Sequence, residues 1–204
     1  YAIRLEPANG SFYCSRGICA SKLKKISLAL TDFDQSINYD PSPHHIYTKA
    51  TVLADNGLLE KAIQTFDIAL NFEAIADDVK LRCFYRKALC LYELRRYDKC
   101  FDILKLVLSH DPNSVPPRVL ISRAAKQMGD LKQAEEQMNH ALVLEEKNPV
   151  NQMEMGDIRF RTGQKYKVVD AIYNFDESIG LLEESKDRTK ELLERYAEEE
   201  RQYW

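Results

Sequence analysis

A small–large–small pattern that returns at steps close to 34 residues constrains this chain more than any other feature. "ALTDFDQSI" at 29–37 is followed by "AIQTFDIAL" at 62–70, "CFDILKLVL" at 100–108, "AEEQMNHAL" at 134–142 and "AIYNFDESI" at 171–179. The leading small residues Ala29, Ala62, Cys100, Ala134 and Ala171 are 33, 38, 34 and 37 residues apart. Four residues on stand Phe33, Phe66, Leu104, Met138 and Phe175, and three further on Ser36, Ala69, Val107, Ala141 and Ser178. Offsets of four and three lie on one face of a helix. A large side chain between two small ones lets a neighbouring helix come close and receive it. A fixed period of this length marks a repeat architecture in which each unit is one supersecondary element.

Each of these helices is preceded by a second helical stretch with a small residue at its middle: Gly17, Ala50, Ala88, Ser122 and Gly156. Four residues earlier stand Tyr13, Ile46 and Phe84, large and apolar, and then Arg118 and Gln152, which depart from that pattern. Gly57 and Gly129 supply the left-handed conformation that ends a first helix. Pro7, Pro41 and Pro112, in "LEP", "YDP" and "HDP", stop the second.

Large at position four, small at eight, Ala–aromatic–Ala at twenty, twenty-four and twenty-seven, and Pro at thirty-two: this pattern resembles the tetratricopeptide repeat family. Five units are expected near 10–41, 43–74, 77–112, 115–146 and 149–182, with the tail of an earlier one at 1–9. The resemblance implies an all-α fold, an α-solenoid in which helix hairpins wind into a right-handed superhelix with the first helices on its concave wall. Residues 183–204, free of Gly and Pro and highly charged, read as a long C-terminal helix that either caps the array or extends it as a coiled coil. Because "YAIRLEP" reads as the interior of a second helix, the expectation is a piece of a longer array.

Composition narrows the function. Lys and Arg number 29 against 32 Asp and Glu, a net charge of −3 that offers no general attraction for nucleic acid or an anionic membrane. The five cysteines form no CxxC, and with His44, His45, His110 and His140 they make no zinc-ligand spacing. No disulfide framework, metal or cofactor is expected, and reduced thiols point to the cytoplasm. There is no GxSxG, P-loop, GxGxxG or HExxH, so no enzyme activity is expected within these residues. His44-His45 reads as helix-start polarity, and Asp77-Asp78 and Glu135-Glu136 as solvated acidic faces, the first also complementing a helix dipole.

The register assigns an inner face. Its centre carries Arg82, Arg86 and Arg123 with Tyr47, Tyr85 and Tyr92, residue types that dominate binding hot spots and, for Arg, fork onto carboxylates. These six are the candidate partner-binding residues, for an acidic or carboxylate-bearing peptide. The alternative is that the arginines pair with the protein's own acids. Members of the family that clamp the acidic tail of heat-shock chaperones use Lys, Asn, Asn, Lys and Arg, in that order, at places held here by Cys14, Ile18, Thr48, Arg82 and Arg86. Only the last two keep the charge, so that role is disfavoured. The expected function is a non-catalytic scaffold or adaptor binding a protein or peptide, within a larger chain or complex. The alternatives are a structural subunit of a cytoskeletal or ciliary assembly, and the substrate-selecting region of an enzyme whose catalytic domain lies elsewhere.

Overall fold

The computed structural model describes residues 2–163 and 165–182, and every regular element among them is a helix. The chain divides into two compact units, Tyr1–Pro112 and Asn113–Trp204. The first holds α1 (Ala2–Leu5), α2 (Gly10–Lys22), α3 (Ile26–Tyr39), α4 (Pro43–Asp55), α5 (Leu59–Leu70), α6 (Asp77–Glu93) and α7 (Tyr97–His110). The second holds α8 (Val115–Met128), α9 (Leu131–Leu144), α10 (Pro149–Arg161) and α11 (Lys165–Leu182). The long helix expected over 183–204 lies outside the described residues.

In the first unit α2 packs on α3, α4 on α5 and α6 on α7, and each hairpin also touches the next through α3–α4 and α5–α6. In the second unit α8 packs on α9 and α10 on α11, joined through α9–α10. This is the nearest-neighbour stacking of an all-α solenoid, in which successive hairpins complete one another's core. Val52 of α4 shows how: it is buried in the cluster formed by Cys14, Ala20, Ala29 and Phe33 of the hairpin before it.

The recurring triplet builds that core. Phe33, Phe66, Leu104 and Met138 are fully buried, flanked by Ala29, Ala62, Cys100 and Ala134 on one side and Ser36, Ala69, Val107 and Ala141 on the other. Burying each large side chain contributes about 2–3 kcal/mol. The small residues at the middle of the first helices receive them. A Cβ on Gly17 would stand 3.0 Å from the Phe33 ring, and one on Gly156 would stand 2.6 Å from the Phe175 ring. Where Ala50 and Ala88 occupy the same register, they too are fully buried.

Caps fix the helix ends. The side chains of Asn9, Ser42, Asp130 and Asn148 accept hydrogen bonds from the first-turn amides of α2, α4, α9 and α10, and Pro43 and Pro149 open α4 and α10. Between the helices of each hairpin the chain turns through a left-handed residue. Gly57, Gly129 and Gly163 do so with φ of 75°, 83° and 64°. In the same register Lys24 (φ 59°) and Arg95 (φ 58°) carry a side chain where glycine has no steric penalty.

The off-pattern residues of the second unit are explained by polar pairing. Gln152 is buried, donates from Nε2 to the Glu146 carbonyl at 3.1 Å, and accepts from Asn174 of α11. Asn174 Oδ1 accepts from Arg159 at 2.7 Å, and Arg159 Nε meets Glu135 of α9 at 3.3 Å. Arg118, at the register of Gln152, donates to Gln137, which stands at the register of Asn174. The second unit thus places hydrogen-bonded polar pairs at the hairpin seam where Tyr13, Ile46 and Phe84 stand in the first. The expectation of Glu135 as a solvated acid is corrected here. Its side chain is only 14% exposed because Arg159 holds it.

Candidate protein-interaction surface

The first helices of consecutive hairpins touch one another in the first unit, α2 with α4 and α4 with α6. Their residue types make this face aromatic and hydroxyl-rich. Tyr47, half-buried on α4, tilts against Phe66 of its own hairpin with ring centroids 6.0 Å apart. Tyr85 is half-buried on α6, and Tyr92, about two turns on, packs on Tyr97 with centroids 5.6 Å apart. The Tyr47 and Tyr92 rings are therefore propped by neighbours, which lowers the entropy lost when a ligand covers them.

The cations on this face are engaged within the chain. Arg86 of α6 reaches Asp55 of α4, Nη2 to Oδ1, at 3.0 Å, an ion pair that links two hairpins. Arg82 pairs with Asp78 one turn earlier on its own helix, and its Nε also donates to the Asp78 carbonyl at 3.2 Å. The hydrogen bond from Arg82 holds the Asp78 carboxyl below its ordinary pKa. Both acids are exposed, Asp55 at 57% and Asp78 at 63%. Solvent and salt screen such exposed pairs strongly, so an incoming carboxylate can take the place of either at small cost.

Arg123 lies in the second unit and in a different setting. Its Nε meets Glu154 of α10 at 2.9 Å. Lys126, one turn along α8, donates to the same Glu154 at 2.8 Å and to Asp157 at 2.7 Å, and Arg161 reaches Asp157 at 2.9 Å. Lys126 and Asp157 are largely buried, 11% and 6% exposed. Burial pulls the Lys126 ammonium down, yet the Glu154 and Asp157 carboxylates outweigh it and hold its pKa above the ordinary value. This network ties α8 to α10. A spacing of three residues sets Lys126 with Arg123 on one face of α8 and Asp157 with Glu154 on one face of α10. The signal for their pairing was cations on one first helix facing acids on the next.

Tyr47, Tyr85, Arg86 and Asp55 thus fall on the contacting helices α4 and α6, with Arg82 and Tyr92 toward the two ends of α6. His45, on the same helix as Tyr47, is buried against the α3–α4 turn with Nδ1 3.0 Å from the Asp40 carbonyl, while His44 is exposed. No group of three or more His, Cys, Asp or Glu able to hold a metal ion occurs among the described residues, and none of their helices is long and apolar enough to cross a membrane.

Residues 117–148, which cover α9 and most of α8, match the family model described as tetratricopeptide repeat. No curated protein matches the chain. Among solved structures, MamA from Desulfovibrio magneticus RS-1 is similar at 18% identity and a TM-score of 0.74, over 87% of this chain and 97% of that one. PilW, a widely conserved type IV pilus biogenesis factor, is similar at 17% identity and a TM-score of 0.79, over 94% of this chain and 86% of that one. YrrB, a TPR protein with an unusual peptide-binding site, is similar at 17% identity and a TM-score of 0.66, over 96% of each chain.

Proposed function

We propose that this tetratricopeptide repeat protein is a non-catalytic scaffold that holds a protein or peptide partner on the α4–α6 face of its first unit. Tyr47, Tyr85 and Tyr92 supply rigid contact area, and Arg82 and Arg86 receive a carboxylate of the partner by exchanging it for Asp78 or Asp55. The observation that carries this reading is the exposure of those two acids: the arginines are held by bonds that cost little to open. Arg123 belongs to the same candidate set but serves differently. Its carboxylate partner is shared with a largely buried lysine, so its contribution is to fix α8 against α10 and shape the second unit.

The reading is tested by affinity capture from cell extract with the wild type, Arg82→Glu/Arg86→Glu, and Tyr85→Ala. The expected outcome is loss of the same partner from both variants while thermal unfolding stays within a few degrees of wild type. An unchanged partner set in both variants refutes the site. It would leave the end faces or the second helices as the binding surface, as a structural subunit of a larger assembly would use them.

A further inference from the structure

The first hairpin distributes charge unlike the rest of the chain. Between Glu6 and Asp32 there is no acidic residue, while Arg16, Lys22, Lys24 and Lys25 all fall in that interval. The two acids that α3 does supply are taken: Asp32, buried, accepts a forked pair of bonds from Arg16 Nε and Nη2 at 2.8 and 2.6 Å, and Asp34 accepts from Lys49 of α4. Lys22, Lys24 and Lys25 are left exposed at the α2–α3 turn with no carboxylate partner among the described residues. Between them Leu23 stands 68% exposed.

The backbone adds a second observation. Lys24 occupies the left-handed position of the turn, where Gly57, Gly129 and Gly163 stand in the equivalent turns. A lysine there forgoes stability that glycine would give. Arg95 does the same in the α6–α7 turn, but there the neighbouring Arg96 is neutralised by Glu60 of α5. At the α2–α3 turn no such pairing occurs among the described residues. The turn thus holds a left-handed cation between two further cations, unpaired among the described residues, beside a protruding leucine.

We infer that the α2–α3 turn is a second docking surface, at which Lys22, Lys24 and Lys25 meet a carboxylate-rich segment of a protein partner and Leu23 enters an apolar notch between those carboxylates. This surface differs from the α4–α6 face: there the cations must first release Asp55 and Asp78, whereas here they carry no ion pair among the described residues. A protein segment fits better than an anionic bilayer, since juxtamembrane lipid-binding clusters carry roughly four to eight cations and stable anchoring takes a second apolar signal. The turn offers three lysines and one leucine.

The test is a titration of the full chain with a fluorescent oligoglutamate peptide, read by polarisation at low and physiological salt, with backbone NMR shifts to locate the contact. The expected result is binding that weakens with salt, shifts centred on residues 22–25, at least tenfold weaker binding in Lys24→Glu/Lys25→Glu, and a change under twofold in Lys99→Glu/Lys105→Glu, two exposed lysines of α7. Lys24→Gly is expected to raise the melting temperature while weakening the peptide several-fold, which separates charge from folding. Equal binding by wild type and Lys24→Glu/Lys25→Glu overturns the inference. So does loss only in Arg82→Glu/Arg86→Glu, which would assign the peptide to the α4–α6 face. Binding to phosphatidylserine vesicles without binding to the peptide would overturn it in favour of a lipid surface.

Discussion

Replacing Gly156 by alanine measures how closely two helices of one hairpin approach. The Cβ would stand 2.6, 2.8 and 3.0 Å from three carbons of the Phe175 ring, where ordinary contact begins near 3.4 Å. The ring must retreat by several tenths of an ångström, or α10 and α11 must part by as much. Overpacking of this kind costs about 1–3 kcal/mol. Against it stands the gain of about 1 kcal/mol for alanine over glycine inside a helix. The net expectation is a loss of about 0–2 kcal/mol. Gly180 provides the control. It lies in α11 with nothing within 4 Å of its would-be Cβ, so Gly180→Ala should keep the propensity gain, up to about 1 kcal/mol, without a clash. The difference between the two variants isolates the steric contribution at about 1–3 kcal/mol. Urea denaturation of the full chain, followed by circular dichroism, reads it as opposite shifts of the midpoint at constant slope. If Gly156→Ala stabilises as much as Gly180→Ala does, the close approach of α10 to the Phe175 ring is wrong, and with it the account of why the first helices carry a small residue there.

Other expectations follow from titratable groups. Burial pushes the thiols of Cys83 and Cys90 up to about 11 and that of Cys100 to about 12, while Cys19 is exposed. Iodoacetamide at pH 8, followed by mass spectrometry, should label Cys19 quickly and those three only after denaturant is added, because the thiolate is the reactive form; rapid labelling of Cys100 in the native protein would contradict its burial. Lys126→Met should cost about 2–3 kcal/mol in denaturant unfolding by leaving Glu154 and Asp157 without their shared cation. Because the folded pKa of Lys126 is raised, its contribution is complete below the ordinary lysine value of about 10.4 and drains away as pH rises through the folded value. A wild-type stability profile that falls above that pH, and a flatter one in Lys126→Met, is the expected pair of curves; identical alkaline limbs would refute the pairing.

How much was legible in the sequence depended on whether a feature is set by neighbours along the chain. The triplets such as Ala62–Phe66–Ala69 and the facing Gly17 and Ala50 could be read because a helix places residues three and four apart on one face whatever surrounds it. Pro41, Pro112, Gly57 and Gly129 could be read because their backbones admit few conformations. Lys24 and Arg95 could not, since nothing in a lysine or arginine announces φ above zero. Their conformation is imposed by the need to close the hairpin so that Phe33 and Leu104 reach their sites. The candidate site divides in the same way. Register set Arg82, Arg86 and Arg123 on the first helices, but whether each is free, loosely held or locked depends on acids at residues 55, 78 and 154, and two of those lie about thirty positions away.

The sequence by itself determined the helical class and the internal period of the repeat, because both rest on local geometry and on burial of a periodic apolar stripe. Only the tertiary structure decided which charges are spent on holding hairpins together and which are left without a counter-charge among the described residues. Coulomb attraction depends on distance in space, and the distance from Asp55 to Arg86, or from Asp34 to Lys49, exists only after the hairpins have stacked.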